Sequence, residues 1–147
     1  MAQTFERDGV RLEYPDGWHR EEEDLPNGWA ASFHSPGTAF AMLSYHRDVD
    51  DPAELSGQAL AALREDYPAL DAEERVETIA GRPAVGHDIE FFSLDLVNAC
   101  WTRALHGPAG GLLLLCQTAD ADRADAEPVL AALRASVRVD DDETAGG

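Results

Sequence analysis

Few residues in this chain combine type and spacing in a way that suggests chemistry. Asp88 and Glu90 alternate along a predicted strand, so both carboxylates share one face, and the following loop adds Asp95. Two such groups can divide acid and base roles when one is desolvated. The simpler reading is a solvated or arginine-paired face. His87 falls on the opposite face of that strand. Cys100 and Cys116 are the only cysteines, on strands joined by a short turn that could bring them near one another. Two reduced, buried thiols are the default in a reducing compartment, and a disulfide is the alternative. No Cys-x-x-Cys or His-x-x-x-His spacing is present, so no metal is expected. His19, His34, His46, His87 and His106 read as surface or edge histidines. The serines lack a Gly-x-Ser-x-Gly setting. Residues 107–111 lack the Lys-Ser/Thr ending of a phosphate loop and precede a strand. No catalytic residue and no cofactor is assigned.

Charge narrows the partners. Eleven basic residues, every one an arginine, oppose 29 acidic ones, for a net charge of -18. The arginines are scattered singly, without the clusters that release counterions from phosphate, so nucleic acid is not an expected partner. The acidity serves solubility first and a basic protein partner second. The run at residues 21–24 reads as a solvated loop and that at 140–143 as part of a disordered tail. Neither has the alternating spacing of a calcium loop. Trp18, Trp29 and Trp101 are the largest apolar groups. They either pack in the core or form an aromatic patch that grips a partner, with Arg103 on the same strand parity as Trp101. These four are the candidate partner-binding residues.

The elements that must position these groups follow from patterning. Residues 4–14 read as a strand or hairpin with Asp8-Gly9 as the turn, and Trp18 restarts an extended segment. Residues 29–34 and 39–46 pair around Ser35-Pro36-Gly37-Thr38. Centring that turn on Pro36-Gly37 sets Phe33 opposite Phe40, Ala31 opposite Met42 and His34 opposite Ala39. Ala30, Leu43 and Tyr45 then share the other face. Apolar residues on both faces imply a sheet covered on both sides. Asp51-Pro52-Ala53-Glu54 announces a helix that Pro68 stops. Strands at 75–79, 84–92, 96–106 and 111–117 follow. A closing helix is expected to become well formed near Glu127, because of Pro128, with Val129, Leu130, Leu133 and Val137 buried. No stretch approaches the roughly 20 apolar residues of a membrane span. The N-terminus shows no secretory signal.

These segments resemble a known family. Residues 10–18, Val-Arg-Leu-Glu-Tyr-Pro-Asp-Gly-Trp, are similar to the N-terminal strand and YP-x-GW turn of the PsbP-like superfamily. Ile79-Ala80-Gly81-Arg82-Pro83-Ala84 resembles its mid-chain hairpin, and residues 129–137 its closing helix. The resemblance implies an α/β/α sandwich around an antiparallel sheet, and binding rather than catalysis. Members include extrinsic photosystem subunits, a nuclear-import factor that binds a small GTPase, DcrB-like proteins and cytosolic chaperones for type VI secretion effectors. The absent signal suits the last branch.

The expectation is one α+β domain over residues 1–139, with an antiparallel sheet of six or seven strands and helices packed on it, then an acidic tail at 140–147. Its expected role is a non-enzymatic protein-binding module, a cytoplasmic chaperone or adaptor, as monomer or homodimer. The alternatives are a small-molecule or lipid carrier with a pocket between sheet and helix, or a hydrolase-type enzyme using Asp88, Glu90 or His106.

Overall fold

The computed structural model describes residues 2–140; beyond Asp140, the acidic tail lies outside them. Strands β1 (Ala2–Arg7) and β2 (Val10–Pro15) form a hairpin. Asp8 and Gly9 take φ of 52° and 80°, the left-handed pair whose twist suits a two-residue turn. Strands β3 (His19–Leu25) and β4 (Gly28–His34) pair around Pro26 and Asn27. The acidic run at 21–24 is therefore strand, not the expected loop. It lies on a sheet edge, where its carboxylates stay hydrated and Arg7 reaches Glu22 and Asp24 at 3.4 and 2.8 Å.

Strand β5 (Phe40–His46) pairs with β4 one residue out of the expected register: Phe33 faces Ala41, Ala31 faces Leu43, and His34 faces Phe40. His46 faces Gly28, inside the ladder. The cause is the loop, which holds five residues. The Ser35 N–H bonds the Ala39 carbonyl at 2.9 Å, and the Ser35 hydroxyl takes the Gly37 N–H at 3.1 Å. A slip of one residue exchanges faces. Trp29, Ala31 and Phe33 therefore join Ala41, Leu43 and Tyr45 in one buried apolar surface.

Helix α1 (Pro52–Asp66) begins as expected, with the Asp51 carboxylate accepting the Ala53 N–H at 3.0 Å, and ends before Pro68. Strands β6 (Asp71–Ile79), β7 (Arg82–Ser93), β8 (Leu96–His106) and β9 (Gly111–Ala119) run antiparallel. After a 3₁₀ turn, helix α2 (Arg123–Ala135) starts four residues earlier than expected. Pro128 is tolerated inside it because it and Ala124, whose carbonyl it cannot satisfy, both face solvent. Leu130, Leu133 and Val137 are buried as expected, but Val129 only partly. A short strand β10 (Arg138–Val139) closes the chain against β2.

The strands make a seven-stranded sheet, β3-β4-β5-β9-β8-β7-β6, and a three-stranded one, β1-β2-β10. The small sheet and α2 cover one face of the large sheet over a core that includes Trp29, Phe33, Tyr45, Leu114 and Leu133. Helix α1 covers the other face over β7, β8 and β9, through Leu55, Leu60, Ile89 and Leu113. Among the described residues, no helix lies over that face of β3, β4 and β5, so the two-sided cover is complete only in the middle of the sheet. No described helix is long and apolar enough to cross a membrane.

Cys100 lies in the cluster under α1 and Cys116 in the core under α2, on opposite faces of the sheet. Their proximity across the ladder is thus no route to a disulfide. Burial pushes both thiols from 9.0 up to about 12; Arg134 and Arg103 pull Cys116 back only in part.

Two substitutions test this packing. Leu133→Asp, which buries an unpaired charge, should cost more than about 4 kcal/mol and abolish the cooperative thermal transition. Half-buried Leu63→Asp should cost about 1–3 kcal/mol, read by circular dichroism melts. The thiols should be silent to a disulfide reagent in the native protein at pH 8 and react fully in denaturant. Above pH 9 the unfolded thiols ionise while the native ones stay protonated. Stability should then fall with rising pH, and a Cys100→Ala/Cys116→Ala variant should lose part of that slope in denaturant titrations.

Candidate functional site

Three of the four candidate partner-binding residues are consumed by the core. Trp29 is fully buried on β4 under the β1–β2 hairpin. Its indole N–H donates to Asp8 Oδ2 at 2.9 Å, in the turn of that hairpin, and Phe5 packs on its ring at 5.4 Å. Trp101 is buried beneath α2, with the guanidinium groups of Arg123 and Arg134 over its ring at 5.5 and 6.0 Å. Arg103 is buried beside it. Only Trp18 keeps a partly exposed edge, packed against the core. The aromatic patch expected on an open sheet face does not form, because the small sheet and α2 lie over that face.

Arg103 organises the middle of the sheet. Its Nε donates to Glu77 Oε1 on β6 at 2.5 Å and its Nη2 to Asp88 Oδ1 on β7 at 2.7 Å. Its Nη1 donates to the Thr102 and His87 carbonyls at 2.8 and 3.2 Å. Gly86 stands opposite it in the ladder, where an added Cβ would sit 1.7 Å from the Thr102 carbonyl oxygen. Glu77 Oε1 also forms an ion pair with Arg134 Nε of α2 at 3.3 Å, without hydrogen-bond alignment, so one carboxylate joins two guanidinium groups.

Asp88 and Glu90 do share a face, and arginines occupy them. Asp88 holds Arg103 and, at 3.2 Å, Arg75; Glu90 holds Arg123 at 3.0 Å. They line a polar cleft of about 390 Å³ over Trp101, in which Arg75 also pairs with Glu73. Each carboxylate is thereby engaged by arginine as an ion-pair partner, the arrangement of a structural network more than of an acid–base pair. His87 lies on the α1 side, its Nδ1 3.2 Å from the Ser56 hydroxyl. His46 Nε2 is 2.8 Å from the Ser44 hydroxyl, and burial lowers its pKa. It lines an open, mainly apolar groove of about 340 Å³ between α1 and the face of β4 and β5, with Leu25, Met42, Leu55, Ala59 and Leu113.

The exposed apolar surface lies elsewhere. Pairing of β6 to β7 ends at Glu90, and pairing of β9 to β8 ends at Asn98. Residues 91–93 and 96–97 therefore extend past both neighbouring strands as a two-stranded finger about 10 Å long. Phe91 anchors its base by stacking on Tyr67 at 4.2 Å. Beyond that, Phe92 is 73% exposed, Leu94 92% and Leu96 51%. Strand parity puts Phe92 on the α2 side and Leu96 on the α1 side, with Leu94 at the end. Leu94 and Asp95 make the turn with φ of 53° and 62°. Left-handed backbone is costly for leucine, and turns of this type favour Asn, Asp and Gly. The sequence carries this signal in Phe92-Ser93-Leu94-Asp95-Leu96, a turn with a leucine where a polar residue is usual.

Comparison with known proteins bears on the fold. No family model matches the sequence, and no curated protein matches it. Among solved structures, the protein of unknown function PA94 from Pseudomonas aeruginosa is similar at a TM-score of 0.53, with 18% identity over 88% of this chain and 91% of that one. LpqN, involved in cell envelope biogenesis of Mycobacterium tuberculosis, gives 0.57 with 14% identity over 94% and 90%. Cyanobacterial PsbP from Synechocystis sp. PCC 6803 gives 0.63 with 11% identity over 95% and 92%. At such identities the likeness is one of architecture, and the chain has a PsbP-like fold.

Proposed function

We propose that the protein is a non-enzymatic binding module, an adaptor or chaperone, that engages a protein partner through the β7–β8 finger. The observation that carries this reading is Leu94: a fully apolar side chain, 92% exposed, on a left-handed backbone. It opposes both stability and solubility where it stands, which favours a contact outside the fold. With Phe92 and Leu96 on either side, the tip is a wedge, which suits an apolar groove better than a flat face. Asp95 at the tip and the Asp71–Glu90 pair at the base set carboxylates around it. A partner groove with a basic rim therefore complements it, in keeping with the net charge of -18. The arginine-held carboxylates of the Trp101 cleft support a binding role over acid–base catalysis.

The groove beside α1 supports a second reading, a carrier for a small apolar molecule. Mass spectrometry of an organic extract of the native protein separates the two, because a carrier would yield a bound compound near stoichiometry.

The finger is tested by Phe92→Ser/Leu94→Asn/Leu96→Thr. This variant should melt at or above the parent temperature, since Asn relieves the left-handed turn by about 0.5–1 kcal/mol. In parallel pull-downs from the native lysate, the parent should retain a protein that the variant loses. Retention of the same proteins by both, or recovery of the bait alone with the parent, would overturn the assignment.

A further inference from the structure

We propose that the groove between α1 and the β4–β5 face binds an uncharged single-chain amphiphile, with its alkyl chain along the groove and its hydroxyl or carbonyl head on the Ser44–His46 pair. This assignment rests on the carrier reading of that groove and does not depend on the finger. Strand pairing sets the shape. On the α1 side of the sheet, Ala30 of β4 stands opposite Ser44 of β5, and Ser44 stands opposite Leu113 of β9. The small side chains of Ala30 and Ser44, side by side, leave a low floor between Leu25 of β3 and the Leu55–Ala59 turn of α1. Helix α1 packs over β7, β8 and β9, so its side chains do not fill the trough. The volume of about 340 Å³ is that of a small-ligand site.

A polar pair sits in this mainly aliphatic trough. Ser44 and His46, two residues apart on β5, share the face, and His46 Nε2 lies 2.8 Å from the buried Ser44 hydroxyl. Burial lowers the His46 pKa, so the ring is neutral at pH 7. When the serine O–H donates to Nε2, the serine oxygen keeps lone pairs for a ligand hydroxyl. When Nε2–H donates to the serine oxygen, the serine O–H is free for a ligand carbonyl. Either tautomer answers an uncharged head.

Neither tautomer brings a positive charge to a carboxylate or phosphate head. Among the described residues, no arginine lines the groove, and Glu23 stands at its rim. The net charge of -18 adds to the repulsion of an anion. The apolar walls favour the chain, and the charge pattern selects against a fatty-acid anion of the same length.

Isothermal titration of the purified chain at pH 8 with 1-octanol and with octanoate tests it. One octanol per chain is expected, at submillimolar affinity, with octanoate about tenfold weaker or more. Ser44→Ala should weaken octanol about fivefold and leave octanoate unchanged. Ala59→Leu, which fills the groove from a helix position that suits leucine, should weaken octanol about tenfold and melt as the parent does without ligand. The Phe92→Ser/Leu94→Asn/Leu96→Thr variant should bind octanol as the parent does. Equal affinity for octanol and octanoate would overturn the uncharged-head assignment and leave the carrier reading standing. Absence of octanol binding up to about 1 mM, or binding that Ala59→Leu leaves unchanged, would overturn the groove as the site.

Discussion

A guanidinium inside a β-sheet layer has to be answered on every side, and much of this molecule is arranged around that requirement at Arg103. Burying a charge without partners is prohibitive, and removing one partner of a buried pair costs about 3–5 kcal/mol. The answer comes from Glu77 on β6, Asp88 on β7 and the carbonyls of His87 on β7 and Thr102 on β8. Glu77 passes the requirement on to Arg134, which ties α2 to the same point and lays it over Trp101. Three strands and a helix are thus held in one mutual geometry. The long β7–β8 ladder rests on that geometry, and the finger extends from a base that cannot shift independently.

Much of this architecture could be read from the residues. Asp51-Pro52 and Pro68 bracket α1 because capping and ring sterics act locally. The β8 strand is bounded by the turn at 94–95 and by Gly107-Pro108. Local patterning fails where a distant contact decides. Ser35 closes a five-residue loop whose Thr38 hydroxyl bonds Asp122 at 2.6 Å, a residue 84 positions away, and this resets the whole β4–β5 register. Pro128 looked like a helix boundary, and solvent on that face made it harmless. Residues 21–24 looked like loop because four acids suit water, and an edge strand also offers water.

The candidate site was less legible than the fold. Tryptophan and arginine are the residues that partner surfaces favour, yet here Trp29, Trp101 and Arg103 are spent on holding one layer against another. A sequence cannot show whether an apolar strand face is covered, since the cover comes from the first fifteen residues and the last helix. The informative deviation was small and local, a leucine in a tight turn. The β3–β4 register was equally available, because the Pro26-Asn27 turn fixes it without help from elsewhere.

The flanks of the seven-stranded sheet shape how molecules of this protein meet. On one side β3 presents Glu21, Glu22, Glu23 and Asp24 along its length, and on the other β6 presents Glu73, Glu74, Arg75 and Glu77 around a single exposed valine, Val76. Strand-to-strand extension into a second copy would press rows of like charge together at about 4.8 Å spacing. A crowded solution of this chain is therefore protected against fibril growth at both open borders of its large sheet.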